Sequence, residues 1–243
     1  MKTGVRQSGG LRFFVDFCEC PVSGRKLFYI CRMIIPLRTP KLLKRLMPSC
    51  VWDIPTEKNE IYLTFDDGPI PCETEFVLDE LDRVGAKATF FWVGDNVRKH
   101  PQVARKVVER GHSVGNHTFH HVVGWGMSVE KYLEEVRLCD EIIRDVTGLE
   151  TRLFRPPHGR ISRGQLKVLK TMKTVVMWDV LTVDYDARLS RKLCLSRSSR
   201  LTRPGSLVVF HDSVKAKKNL RGVLPEFLDY FALQDFGFQL LDM

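Results

Sequence analysis

The sequence predicts an α/β fold on a parallel sheet, closed as a barrel or left open and doubly wound. Two observations predict it. From residue 60 onward, apolar runs of strand length alternate with apolar positions at helical spacing. Polar clusters then fall at or just after the strand ends, where ligand sites lie in such folds. A chain of 243 residues is long enough for one domain of this size and does not require two.

Residues 41–53 carry Leu42, Leu43, Leu46 and Met47 at helical spacing, ending at Pro48. Ile61 to Phe65 read as a strand. The helix after it turns Phe76, Val77, Leu78, Leu81 and Val84 inward and ends at Gly85. Ala88–Val93 is a second strand, and Val103, Val107 and Val108 mark a helix stopped by Gly111. The short strand Ser113–Gly115 runs into a histidine cluster. A long helix follows, with Ser128 as N-cap and Tyr132, Leu133, Val136, Ile142 and Ile143 inward. Phe154, Val175–Trp178, Leu207–Phe210 and Phe238–Leu241 supply further strands, and no internal repeat is visible.

Hydrophobic and charged fractions of 44% and 28% are those of an ordinary globular protein, and nothing reads as disordered, collagenous or membrane-spanning. The net charge of +9 is unevenly placed: residues 1–56 hold ten Lys/Arg against three Asp/Glu, which leaves +2 for the rest. A basic head on a nearly neutral body reads as a tail or docking segment, not a groove for nucleic acid. Seven scattered cysteines without a CxxC pair suit free thiols in a reducing compartment. The apolar stretch Leu27 to Ile35 is short, carries Arg32 and lacks a small-residue cleavage site, so a cytoplasmic location is expected. Residues 1–32 read as a poorly ordered or dispensable extension, or as upstream sequence read through from a misplaced start, with Met33 opening the ordered part. Residues 33–57 are expected to form a helix and linker packing on the main domain of residues 58–243, and the chain to be a monomer.

Adjacent side chains in a strand point to opposite faces, so Asp66 and Asp67 share a task only if the strand ends there. Gly68-Pro69 supplies that end, though Asp-Asp-Gly-Pro is equally ordinary turn chemistry. His117 and His121 are four apart, so on one helical turn they can converge on one ion. Two imidazoles and a carboxylate suit zinc with an open position for water, and also iron, cobalt or manganese. His120 reads as packing or support, and His100 and His112 as surface or structural. Pro156-Pro157 fixes the backbone beside Arg155, which, aimed at a carboxylate, would keep it ionised. Trp178-Asp179, Asp184-Tyr185 and Val209-Phe210-His211-Asp212 complete the polar set.

Over residues 58–243 the chain resembles the polysaccharide deacetylases of carbohydrate esterase family four, a group that includes chitooligosaccharide, chitin and peptidoglycan deacetylases. Thr64–Pro69, His117–His121, Arg155–Gly159, Trp178–Tyr185 and Val209–His211 match the five family motifs in order. The resemblance implies an irregular (β/α)7 barrel and removal of acetyl groups from N-acetylated, GlcNAc-containing carbohydrate by metal-activated water. It implies Zn2+ (or Co2+, Ni2+, Fe2+ or Mn2+) held by Asp67, His117 and His121. Asp66 would then be the base, His211 the acid oriented by Asp184, and Arg155 the partner of Asp66. The backbone N–H of His158 would stabilise the oxyanion, and Trp178, Tyr185 and Val209 would line the substrate pocket. His158 stands where the family usually has tyrosine and Tyr185 where it has tryptophan; both changes touch the acetate pocket. Two other functions fit less well: a catalytically silent metal- and sugar-binding relative, and an amidohydrolase acting on a non-carbohydrate C–N bond.

Overall fold

The computed structural model describes residues 37–242, so the extension expected at residues 1–32 lies outside the described residues. Seven parallel strands curve into an incomplete barrel. They are β1 (Glu60–Asp66), β2 (Thr89–Trp92), β3 (Ser113–Asn116), β4 (Leu153–Phe154), β5 (Thr174–Val175), β6 (Val180–Leu181) and β7 (Leu207–His211). Their spatial order is β5-β4-β3-β2-β1-β7-β6, and β8 (Gly237–Gln239) pairs with the opening half of β1. The helices α1 (Lys41–Leu46), α2 (Glu73–Arg83), α3 (Gly94–Lys99), α4 (Pro101–Glu109), α5 (Val129–Thr147), α6 (Arg163–Leu169), α7 (Arg191–Leu201) and α8 (Lys217–Ala232) complete the described elements.

The alternation along β1 explains the layering. Ile61, Leu63 and Phe65 belong to the layer between sheet and helices, with Leu78 and Leu81 of α2 and Leu224 and Phe227 of α8. The Phe65 ring stacks on Phe90 and Phe210, with centroids 5.1 and 5.9 Å away. Truncating a buried ring of this kind costs about 3–5 kcal/mol. The opposite face of the sheet is inward: Tyr62 packs there with Phe91, Leu153, Val176, Leu207 and Leu241.

The expected helix starts and stops are present for α2, α4 and α5; Ser128 Oγ accepts from the Lys131 N–H at the start of α5. Three elements differ from the sequence reading. The strand expected at Val175–Trp178 is only Thr174–Val175, because the chain leaves β5 at once to begin β6. The helix Gly94–Lys99 has little apolar periodicity to announce it, burying only Gly94 and Val97. In α1, Leu42 and Leu46 are both 69% exposed and no residue of the helix is buried, so its apolar period does not mark a core face.

The segment before β1 instead works through its backbone and charges. Val51 bridges Val176 and Arg38 bridges Val180, which laces the seam between β5 and β6. The Val51 N–H donates to Val175 O at 2.9 Å, and Met177 N–H donates to Val51 O at 2.7 Å. Buried Asp179 accepts from Lys44 Nζ at 2.6 Å and from Ser206 Oγ at 2.8 Å. Lys44 also pairs with Asp53, while Cys50 and Trp52 bury among Leu169, Val175 and Met177.

Candidate active site

Parallel pairing brings the polar strand ends to one rim. The register places Asp66 opposite His211 on one side and Phe91 on the other, and Asn116 opposite Trp92 and Phe154. Asp66 is the last residue of β1 and keeps the inward direction of Thr64. Its Oδ1 accepts from Arg155 Nη1 at 2.6 Å, and the same nitrogen donates to Thr64 Oγ1 at 2.8 Å. Arg155 is fully buried, lies 4.1 Å from the centroid of the Phe91 ring, and donates through Nη2 to Met177 O at 2.8 Å. A buried guanidinium this well tied holds its carboxylate partner in one place.

Asp67 follows with φ of +82°, so the strand direction is lost there and its carboxylate swings toward the histidines. Its Oδ1 lies 3.2 Å from His121 Nε2 and 3.9 Å from His117 Nε2. One ligand atom from each of the three residues falls within 4.8 Å of the others, the spacing of a shared ion. The donor chemistry fits as well. The Nδ1 of His117 lies 2.7 Å from Arg155 O, and a carbonyl only accepts, so Nδ1 carries the proton and Nε2 is left as a lone-pair donor. Burial, helped by the neighbouring His121, pushes the His117 pKa down to about 4, which keeps the ring neutral. Burial works against the Asp67 carboxylate, yet the hydrogen bond to His121 and the charge of His211 hold it well below the usual carboxylate range.

The two histidines do not converge on a helical turn, as their spacing predicts. Residues 117–121 are a loop in which Thr118 (φ +64°) and His121 (φ +56°) both take left-handed backbone. Such residues cost about 1–3 kcal/mol each, and here Asn116 Oδ1 supports the bend by accepting from Thr118 N–H at 2.8 Å. His120 turns away and pairs with Glu135 at 3.0 Å.

Across the rim, both the backbone N–H and Nδ1 of His211 donate to the two oxygens of Asp184, each at 2.8 Å. Burial alone would lower the pKa of this imidazole, but Asp184, with Asp67 and Asp66 beyond it, pushes it up to about 9. The Tyr185 ring meets His211 edge-on at 4.8 Å. Val209 lies two residues before His211 on the same strand face, 1% exposed, and forms floor more than wall. His158 (φ +57°) sits in a single 3-10 turn with its ring 4.8 Å from that of His121. Trp178 packs so closely behind that turn that a Cβ at Gly159 would meet its ring at 2.6 Å.

Four positions to which the sequence reading gave no role hold the rim in shape. Asp212 accepts from Gly68 N–H at 3.0 Å and from the Thr74 hydroxyl at 2.5 Å, and burial pushes its pKa up to about 7. Asn96 donates to Asp67 O at 2.7 Å, Asn219 to Asp184 O at 3.1 Å, and Asn116 to Val136 O at 2.7 Å. Asn116 and Asp212 each adjoin a rim histidine in sequence, which is a usable signal; Asn96 and Asn219 carry none.

The polysaccharide deacetylase family profile matches residues 53–177. The chain belongs to this family. A peptidoglycan-N-acetylglucosamine deacetylase of Bacillus cereus is 31% identical to this polysaccharide deacetylase over 201 residues, covering 81% of this chain and 94% of that protein. A second protein of that name from the same organism is 33% identical over 160 residues, covering 65% of this chain and 58% of the relative, so the chain spans little more than half of it. A chitooligosaccharide deacetylase of Azorhizobium caulinodans is 32% identical over 161 residues, covering 65% of this chain and 76% of the relative. Among solved structures, a peptidoglycan N-acetylglucosamine deacetylase in complex with 4-naphthalen-1-yl-N-oxidanyl-benzamide superposes with a TM-score of 0.77 at 28% identity, covering 84% of this chain and 95% of that one. The barrel is that of the family, the family is metal-dependent, and Asp67, His117 and His121 form the group that can hold an ion.

Proposed function

We propose that this polysaccharide deacetylase removes acetyl groups from N-acetylated, GlcNAc-containing carbohydrate, with zinc as its ion. One observation carries the reading: a single rim joins an ion-holding triad, a separately tethered carboxylate and a carboxylate-oriented histidine. A purely structural metal would need the first and neither of the others, which disfavours the catalytically silent alternative.

A divalent ion at Asp67, His117 and His121 would polarise the acetyl carbonyl and lower the pKa of a water to about 7. Asp66 then takes the proton of the attacking water, held in place by Arg155 and Thr64. The backbone N–H of His158 donates to the oxygen that becomes negative on the carbonyl carbon; a donor so placed is worth about 3 kcal/mol. As the C–N bond breaks, His211 delivers the proton from Nε2 to the departing amine, its Nδ1–H being fixed on Asp184. Trp178, Tyr185 and the side chain of His158 border the acetyl group.

The test is acetate release from chitooligosaccharides, peptidoglycan fragments and acetylated xylan, with and without a chelator. Release from the N-acetylated substrates that chelation abolishes and zinc restores is the expected result. Release from xylan alone would move the activity to O-acetyl groups, and release unaffected by chelation would remove the ion from the reaction.

A further inference from the structure

The two histidines of the triad are held in different ways. His117 is fixed through its own ring, by the bond from Nδ1–H to Arg155 O at 2.7 Å. His121 has no such tether. Its Nε2 lies 3.2 Å from Asp67 Oδ1, and among the described residues no hydrogen bond reaches its Nδ1. The imidazole, half-buried with the His158 ring 4.8 Å away, therefore takes its direction from the backbone of its loop. A backbone at φ +56° persists only where its surroundings hold it. Part of that hold is local: the Thr118 hydroxyl accepts from Val122 N–H at 3.1 Å, and Glu135 O accepts from Phe119 N–H at 3.0 Å.

The rest comes from the start of α6. Ser162 caps this helix and Gln165 closes a capping box, its Oε1 accepting from Ser162 N–H at 2.9 Å. That task needs only an acceptor, and glutamate performs it as well. Yet Gln165 is fully buried, and both hydrogens of its amide are committed elsewhere: Nε2 donates to Gly124 O at 2.8 Å and to Met127 O at 3.0 Å. A glutamate carboxylate could make neither bond. Two more bonds run alongside, from Gly124 N–H to Arg160 O and from Trp125 Nε1–H to Ile161 O, each at 3.2 Å. Together they staple the loop that follows His121 to the turn that follows His158. A Cβ at Gly124 would meet Gln165 Oε1 at 2.5 Å and Arg160 O at 2.8 Å, so the two segments meet with no side chain between them.

We propose that Gln165 is a positioning residue for the metal ligand His121: its amide fixes the loop that aims the imidazole, in place of the hydrogen bond that His121 lacks on its own ring. This rests on the reading of Asp67, His117 and His121 as the ion site.

Zinc affinity of the full-length protein is measured by competition with a chromophoric chelator, and circular dichroism checks that each variant is folded. Gln165→Met keeps the shape of the side chain and removes its donors; it is expected to bind zinc about tenfold more weakly than wild type. Ser162→Ala loosens the same helix start without touching the staple, so it should lower the thermal midpoint and keep wild-type zinc affinity. Wild-type affinity in Gln165→Met, or an equal loss in Ser162→Ala, overturns the proposal. Should Gln165→Met fail to fold, Trp125→Phe decides: it removes one staple bond from an exposed ring and is expected to weaken zinc about threefold, and unchanged affinity there overturns the proposal. A wild type that binds no zinc would instead remove the ion-site reading on which the proposal stands.

Discussion

Asp66 and Asp67 show how one backbone angle divides two identical side chains between two tasks. Asp66 still obeys the strand alternation and turns inward to Arg155, while Asp67, at φ +82°, escapes it and meets the histidines. Asp66→Asn is therefore expected to keep a stoichiometric ion and lose about 10²–10⁴ in kcat, since the amide keeps the shape but cannot take a proton. Metal analysis beside acetate release checks this, and full activity would refute the role of Asp66. At His211 the sign of a pH effect can be worked out. An acid catalyst must be protonated, so activity falls as pH rises through its pKa, which Asp184 holds high. Asp184→Asn should move the alkaline limb of the pH–rate profile to lower pH, along with a loss of rate; an unmoved limb would refute the pairing as the cause. These residues were legible in the sequence because a carboxylate or imidazole closing an apolar strand has no use in the core. The left-handed turns at Thr118 and His121 were not legible, since a spacing of four fits a helical turn equally well and a β-branched threonine rarely takes positive φ.

At the scale of elements, strands β1, β2 and β7 were readable because buried parallel strands are continuous apolar runs, and short β3 because it leads from Gly111 into the histidine cluster. Two-residue β6 and the polar α3 offer no such run. His112, just before β3, is a buried neutral histidine whose Nδ1 accepts from Ala88 N–H at 3.3 Å. Burial, with the charge of Lys87 beside it, lowers its pKa to about 4. The unfolded chain then takes up its proton first, near pH 6.5, so this site loses stability as pH falls from about 6.5 to about 4. His112→Gln should retain about 3 kcal/mol more stability at pH 4 than wild type does, each measured relative to its own value at pH 7. Denaturant unfolding across that window tests it, and parallel curves for the two proteins would refute it. The seam between β5 and β6 gives a second prediction. Asp179→Ala leaves Lys44 with Asp53 alone and frees Ser206, a loss of about 1–3 kcal/mol for a buried polar group that loses its partner. Limited proteolysis should then cut between Lys41 and Lys58 in the variant before it cuts wild type; identical digestion would argue against the clamp.

For the whole molecule, the sequence reading separated a basic head from a nearly neutral body, and every described strand and rim residue belongs to the body. It did not foresee that residues 37–57 would lace the sheet, because backbone bridges leave no side-chain pattern. A protein beginning at Met33 is expected to match the full chain in acetate release and thermal midpoint, while one beginning at Lys58 should unfold at markedly lower temperature or fail to stay soluble. Equal behaviour of the two truncations would show the lacing to be dispensable.

That lacing also sets a timetable. Arg38 and Val51 leave the ribosome first, and their partners Val180 and Val176 emerge only 142 and 125 residues later. Pairings so distant in sequence make folding slow, and until they form the nascent chain carries two bare strand edges. The growing protein should therefore depend on chaperones most during the interval before Val180 emerges, and substitutions in residues 37–57 should lower the yield of folded protein more than the stability of what has folded.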